Sequence, residues 1–216
     1  MNILFIGNSY TFYNDMPKML EALVKENGRR VKVDSVTKGG RKLFENLDPE
    51  DEKYKQITEL LSETHFDLLF LQEQSYFALV DYERFLFGLT ELKSLVGADR
   101  TALYATWGRK VGSALLEDKG WTSEGMTGDL DKAYTLAAET LSAEVSPVGR
   151  YFSELAAAYP ELELYNPDLS HPSYLGSCGA AIMHYKTAFG ELPQKCDSLH
   201  LDSEDIEKLI STAVKF

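Results

Sequence analysis

The chain has 216 residues and a formal net charge of −12, with 44% hydrophobic and 26% charged residues. This balance is ordinary for a soluble globular protein, and the acidic excess argues against nucleic acid or an anionic membrane surface as a partner. No apolar run reaches the length of a transmembrane helix and no basic leader precedes the first apolar run, so we expect a cytoplasmic protein with one domain, 1–216. The alternative is a secreted protein whose leader has been removed, which would have the same sequence.

Strands and helices alternate along the predicted secondary structure. Short apolar or alternating runs that end in glycine or polar residues predict strands, and apolar residues at helical spacing predict helices. In chain order these are a strand at 1–6, a helix at 15–27, a strand at 30–36, helices at 42–47 and 50–63, a strand at 66–71, a helix at 82–96, a strand at 101–106, a helix at 129–141, a strand at 143–148, and helices at 151–158, 174–189 and 205–216.

This alternation predicts a parallel sheet that is covered by helices on both faces. We expect an α/β fold, a three-layer α/β/α sandwich with five strands in the flavodoxin-like order 2-1-3-4-5. Residues 109–127 have weak periodicity and several glycines, and they are predicted to form a loop or lid that shapes a pocket.

Polar residues follow several of these strands and should meet at the carboxyl edge of the sheet. Ser9 follows the first strand at the start of a helix, where free backbone N–H groups favour developing negative charge. With His171 as general base and Asp168 as the acid that orients it, Ser9 would be the nucleophile of a serine hydrolase. The backbone N–H groups of Ser9 and Gly40 and the side-chain amide of Gln74 would be the oxyanion donors.

The set of motifs resembles the SGNH (GDSL-type) hydrolases over nearly the whole chain. The first block of that family is matched by Gly7-Asn8-Ser9, the second by Gly39-Gly40-Arg41, and the last by Asp168-Leu169-Ser170-His171. Two departures stand out: Asn8 replaces the family's Asp, and Gln72-Glu73-Gln74 stands where the family has Gly-x-Asn-Asp. Gln74 falls on the family's Asn, and Gln72 is the other candidate donor.

Aromatic and amide side chains near the same edge are further candidates for substrate binding. Trp107 follows the fourth strand, and either it packs in the core or it forms a platform for a sugar or an acyl group. The same alternatives hold for Tyr10, and Gln72 is a candidate substrate contact.

The function predicted from these residues is hydrolysis of small acyl esters through an acyl-enzyme on Ser9, with an acetylated carbohydrate as the first candidate substrate. No cofactor is expected, and Cys178 and Cys196 lack the spacing of a metal site or of a disulfide framework. The alternatives are a degenerate protein of the same fold that binds a glycan without cleaving it, a flavodoxin-like module that binds phosphate, and acyl transfer to another acceptor. The aromatic content is compatible with a homodimer.

Overall fold

The central sheet has five parallel strands in the order 2-1-3-4-5. The computed structural model describes residues 1–216. Its strands are β1 (Asn2–Gly7), β2 (Lys32–Thr37), β3 (Leu68–Leu71), β4 (Arg100–Tyr104) and β5 (Glu144–Ser146). The predicted fold class and strand order are therefore confirmed.

Ten α-helices connect the strands or follow them. They are α1 (Ser9–Phe12), α2 (Met16–Glu26), α3 (Glu52–Glu63), α4 (Phe77–Val80), α5 (Tyr82–Val96), α6 (Ala114–Lys119), α7 (Ser123–Leu141), α8 (Val148–Ala158), α9 (Tyr174–Phe189) and α10 (Ser203–Ala213). Three 3₁₀ turns accompany them at Tyr13–Asp15, Leu43–Leu47 and Asp197–Leu199.

The strands alternate strictly between two apolar cores because successive side chains of a strand point to opposite faces. In β1, Ile3 and Phe5 pack into the core formed with α2, α8, α9 and α10, whereas Leu4 and Ile6 face the core formed with α3, α4, α5, α6 and α7. Burial on both faces explains why the central strands are nearly continuous apolar runs, and it fixes the register that brings the strand ends to one edge.

The predicted loop at 109–127 is wrong over most of its length. The structure forms α6 within it, and α7 begins at Ser123 because the Thr122 hydroxyl accepts a hydrogen bond from the Gly125 N–H at 3.0 Å. Met126 is the first buried residue of the α7 stripe, which continues with Leu130 and Tyr134. The apolar period therefore starts inside the segment that the glycines suggested was irregular.

None of the helices is both long and apolar enough to cross a bilayer. Cys178 and Cys196 are both buried free thiols.

Candidate active site

Ser9 lies at the first residue of α1, immediately after β1. Asn8 caps this helix: its Oδ1 accepts a hydrogen bond from the Tyr10 N–H at 3.1 Å, and its Nδ2 donates to the Arg41 carbonyl at 3.0 Å. The sharp turn needs glycine at position 7, since a Cβ there would lie 2.6 Å from Thr11 Oγ1. Asn in place of Asp therefore still serves as the helix cap, and its extra N–H group ties the turn to the segment after β2.

Gln72 lies beneath this turn and is fully buried. Its Oε1 accepts hydrogen bonds from the Asn8 N–H at 2.9 Å and the Thr11 hydroxyl at 2.8 Å, and its Nε2 donates to Asn8 Oδ1 at 3.0 Å and to the Glu73 carbonyl. The prediction that Gln72 contacts substrate is therefore wrong, because every polar atom of its amide is engaged by the protein. Its position supports the turn that presents Ser9.

The side chains of Asp168, His171 and Ser9 form a chain of hydrogen bonds. His171 Nδ1 lies 2.6 Å from Asp168 Oδ2, and His171 Nε2 lies 2.8 Å from Ser9 Oγ. Asp168 Oδ1 accepts two more hydrogen bonds, from the backbone N–H groups of Ser170 at 3.0 Å and His171 at 2.9 Å. The structure thus brings together three side chains that the sequence predicted, although Ser9 and His171 are 162 residues apart.

These hydrogen bonds decide the charge of Asp168 and the tautomer of His171. Burial opposes ionisation of Asp168, but the hydrogen bonds from the His171 ring and from two backbone N–H groups outweigh it, so the pKa of Asp168 lies below its usual value. An ionised carboxylate can only accept hydrogen bonds, so Nδ1 of His171 carries the ring proton. The lone pair of Nε2 then faces the hydroxyl of Ser9.

Two tyrosines hold the His171 ring in place. Tyr13 stacks on it with ring centroids 4.1 Å apart and planes at 8°, and Tyr10 meets it edge-on at 5.5 Å. Tyr13 was not predicted from the sequence. The sequence feature that could have indicated Tyr13 is its spacing, because it lies three residues after Tyr10 in the segment that carries Ser9.

Asn14 fastens the Ser9 segment to the segment after His171, and it too was missed from the sequence. The two N–H groups of its Nδ2 are shared among three acceptors, namely the carbonyl oxygens of Pro172 at 3.2 Å and Ser173 at 3.0 Å and Ser177 Oγ at 2.9 Å. Asn14 adopts a left-handed backbone conformation with φ of 54°, which asparagine tolerates better than most residues.

Ser9 and His171 line a pocket of about 410 Å³ that Gly40, Gln74 and Arg109 also line. Gly40 has φ of 68° and its N–H donates no hydrogen bond within the protein. Gln74 is half-buried; its Oε1 accepts from the Tyr76 N–H at 3.3 Å and its Nε2 makes no hydrogen bond to the protein. Of the two glutamines considered as donors, only Gln74 reaches the pocket.

Between these two glutamines, Glu73 is a buried acid that ties two site segments together. Its carboxyl group accepts hydrogen bonds from the Leu43 N–H at 3.1 Å and the Gln74 N–H at 2.6 Å. Burial raises the pKa of Glu73 to about 8, although these two N–H groups favour the ionised form. The residue does not line the pocket.

Of the two alternatives that the sequence leaves open for Trp107, the structure favours the core over contact with substrate. Trp107 is fully buried between the rings of Tyr10 and Phe152, and its Nε1 donates to the Ser170 carbonyl at 3.0 Å. The indole therefore belongs to the core and supports the loop before His171. Tyr10 is buried as well but is one of the residues that line the pocket, and its hydroxyl shares a hydrogen bond of 3.0 Å with Ser170 Oγ.

Comparison with solved structures assigns the family. A protein from Slackia heliotrinireducens described as an SGNH hydrolase aligns with a TM-score of 0.74 and 30% identity, covering 87% of this chain and 98% of that one. The chain belongs to the SGNH hydrolase superfamily. Membership of this superfamily makes it a hydrolase.

Two further structures share the fold of this SGNH hydrolase. A DUF4886 family protein from Bacteroides uniformis aligns with a TM-score of 0.83 and 16% identity, covering 100% of this chain and 93% of that one. The acetyl xylan esterase AlAXEase aligns with a TM-score of 0.64 and 13% identity, covering 88% of this chain and 100% of that one. No protein-family model and no curated protein matches the sequence.

Proposed function

We propose that the chain is a serine esterase that hydrolyses small acyl esters through an acyl-enzyme on Ser9. The observation that carries the proposal is the hydrogen-bonded chain in which Ser9 Oγ lies 2.8 Å from His171 Nε2 and His171 Nδ1 lies 2.6 Å from Asp168. Such an arrangement supplies a nucleophile, a base within proton-transfer distance and an acid that orients the base.

Each proton in the proposed reaction passes through His171. Its Nε2 takes the hydroxyl proton of Ser9 as Oγ attacks the ester carbonyl carbon, and it gives that proton to the alcohol oxygen as the ester bond breaks. A water molecule then attacks the acyl-Ser9 carbonyl and loses a proton to Nε2. Release of the carboxylic acid returns the proton to Ser9 Oγ. Asp168 stabilises the imidazolium that forms in each half-reaction.

Ser9, Gly40 and Gln74 line the same pocket, and each has an N–H group that could stabilise an oxyanion there. The N–H of Ser9 is in the first turn of α1 and has no partner inside its helix, the N–H of Gly40 is free, and the Nε2 of Gln74 is unpaired. Donors that are already fixed in a partly buried site stabilise developing charge without having to reorganise. We assign the oxyanion hole to these three groups.

The pocket favours short acyl groups on polar alcohols. Only three of its eleven lining residues are hydrophobic, namely Tyr10, Phe12 and Tyr13. A long acyl chain would therefore leave much of its apolar surface in water. Polar groups on the pocket wall and flanking aromatic rings suit a sugar hydroxyl, and the fold shared with an acetyl xylan esterase supports an acetylated carbohydrate as the natural substrate.

The first experiment measures hydrolysis of p-nitrophenyl acetate, butyrate and octanoate by the wild type, Ser9→Ala and the exposed control Ser62→Ala. We expect the acetate ester to be turned over fastest. Activity should disappear in Ser9→Ala and persist in Ser62→Ala. A fluorophosphonate probe should phosphonylate the wild type with loss of fluoride, which adds the mass of the probe less HF, and should leave Ser9→Ala unmodified.

Activity that survives in Ser9→Ala would reject the acyl-enzyme on this residue. Octanoate turned over faster than acetate would reject the small-acyl assignment while leaving the nucleophile in place. Gln74→Ala tests the oxyanion hole, because the loss of one donor typically lowers kcat by about 10²- to 10³-fold. Near-normal kcat in folded Gln74→Ala would remove this side chain from the hole.

A further inference from the structure

Arg109 presents the pocket with a cation that has no ionic partner. Five of the seven arginines of the chain form ion pairs with a carboxylate. The two exceptions are Arg30, which is exposed, and Arg109, which is half-buried and lines the pocket beside Ser9. The next residue in the chain, Lys110, is paired with Glu163 at 2.7 Å. Arg109 is therefore unpaired because of its place in the pocket, and not because carboxylates are lacking in this part of the chain.

Few donors of the Arg109 guanidinium are used within the protein. Nη2 donates to Ser75 Oγ at 2.9 Å, and the guanidinium carbon lies 5.9 Å from the centre of the Tyr10 ring. Nε is buried with no acceptor at all. Nη1 makes no hydrogen bond within the protein and is not enclosed, so its N–H groups remain available to an acceptor that arrives from the pocket.

The backbone around Arg109 is held firmly. The Gly108 N–H donates to Thr127 Oγ1 at 2.8 Å, and the Arg109 N–H points at Met126 Sδ at 3.4 Å. Both partners lie on α7. The guanidinium therefore projects from a rigid support, and contacts to Ser75 and Tyr10 limit its rotation, which lowers the entropy lost when a ligand binds.

The remaining charges in the pocket also favour an anion. None of the lining residues is an aspartate or a glutamate. Asp168 lies behind His171 and is occupied by three hydrogen bonds. Although the net charge of the chain is −12, the residues that line this pocket carry a positive charge from Arg109 and no negative charge.

We propose that Arg109 forms a subsite for an anionic group of the substrate, so that the preferred ester carries a carboxylate near the bond to be cleaved. This inference rests on the proposed esterase function and narrows its substrate class. A planar guanidinium with free N–H groups pairs well with a carboxylate, which accepts two parallel hydrogen bonds. The carboxylate belongs either to the alcohol part, as in an esterified acidic sugar, or to the acyl part, as in a dicarboxylic acid monoester.

The test compares anionic and neutral esters of matched size. In the first pair, 4-acetoxybenzoate carries its charge on the leaving group and is compared with methyl 4-acetoxybenzoate. In the second pair, mono-p-nitrophenyl succinate carries its charge on the acyl part and is compared with p-nitrophenyl butyrate. The quantity measured is the ratio of kcat/KM for the anionic ester to that for its neutral partner. The variants are Arg109→Gln, Arg109→Lys and the exposed control Arg30→Gln.

We expect one of the two pairs to show a wild-type preference for the anionic ester. Because a hydrogen-bonded charge pair is lost, Arg109→Gln should lower that ratio by about 10- to 100-fold. Arg109→Lys should recover part of it, and Arg30→Gln should leave it unchanged. Added salt should reduce the wild-type preference. No preference in either pair, or an equal fall on anionic and neutral esters in Arg109→Gln, would overturn the subsite.

A binding measurement separates failure of the subsite from failure of the esterase. Calorimetric titration of 4-hydroxybenzoate and of monomethyl succinate into Ser9→Ala needs no turnover. Binding of one of these anions that is lost in the double variant with Arg109→Gln would support the subsite even if no tested ester were hydrolysed. No binding of either anion together with normal esterase activity would reject the subsite alone.

Discussion

Replacing Gln72 by leucine tests whether a residue that never touches the pocket holds the nucleophile in place. Leucine keeps most of the side-chain volume but removes the acceptor for the Asn8 N–H and the Thr11 hydroxyl, which lie 2.9 and 2.8 Å from Gln72 Oε1. Each buried donor left without a partner costs about 1–3 kcal/mol, so we expect Gln72→Leu to lower the free energy of unfolding by about 3–5 kcal/mol. A domain with a typical stability of about 5–15 kcal/mol tolerates that loss in most cases.

The same substitution should lower turnover, because Asn8 sets the turn that carries Ser9. A displacement of the nucleophile by about 1 Å is enough to reduce kcat by about 10²-fold. Urea unfolding followed by circular dichroism gives the stability, and p-nitrophenyl acetate hydrolysis in the absence of urea gives kcat. Gln194→Leu is the control, since Gln194 is exposed and its side chain makes no hydrogen bond. A loss below about 1 kcal/mol together with wild-type kcat would refute the supporting role of Gln72.

Three further predictions concern the partner of the base, a buried acid and the packing around the sheet. Asp168→Asn replaces the anionic partner of His171 Nδ1 by a neutral amide. We expect kcat for p-nitrophenyl acetate to fall by about 10³-fold or more, with little change in the urea midpoint. An unchanged kcat would contradict the role of Asp168 as the acid that orients His171. Burial raises the pKa of Glu73 to about 8 from 4.5, so the folded chain binds a proton that the unfolded chain has lost, and the free energy of unfolding should fall as the pH rises from 5 to 8 by up to about 4 kcal/mol. Glu73→Gln should remove this slope, and equal slopes in both proteins would contradict it. A Cβ at Gly149 would overlap a backbone carbonyl oxygen, so Gly149→Ala should lower the free energy of unfolding by about 1–3 kcal/mol. Gly128 lies in α7 with free space around it, so Gly128→Ala should leave the stability unchanged or raise it. Equal urea midpoints for the two variants would contradict this explanation.

The sheet could be predicted from the sequence because it is buried on both faces. Residues 66–71 and 101–106 stand out as apolar runs because helices cover both faces, and the polar residues that follow the strands mark the edge where the site forms. Only the strand boundaries moved, since β3 begins at Leu68 and β4 ends at Tyr104. Pairing geometry, and not composition, decides where a ladder stops.

The orientation of individual side chains could not be predicted in the same way. Gln72 and Gln74 have the same chemistry two residues apart, and the direction that each takes depends on the end of β3 and on the partners offered by Asn8 and Thr11. For Trp107, the sequence left open whether the ring packs in the core or against substrate, and stacking on Phe152 decided for the core. Contacts between distant segments have no local signal, which is why Asn14 and Arg109 were missed.

The three hydrogen bonds that Asn14 donates join the first segment of the chain to the last segment of the site, and this has a consequence for the order of events during synthesis. β1 pairs with both β2 and β3, so most of the sheet can assemble around it before residues 166–177 leave the ribosome. Until then Ser9 has no base and Asn14 has no carbonyl groups to bind. Closing this long sequence separation is the slow, late step expected for non-local contacts. Ester hydrolysis would therefore begin only once the fold is complete. A nascent chain that ends before His171 would have Ser9 but no base to take its proton.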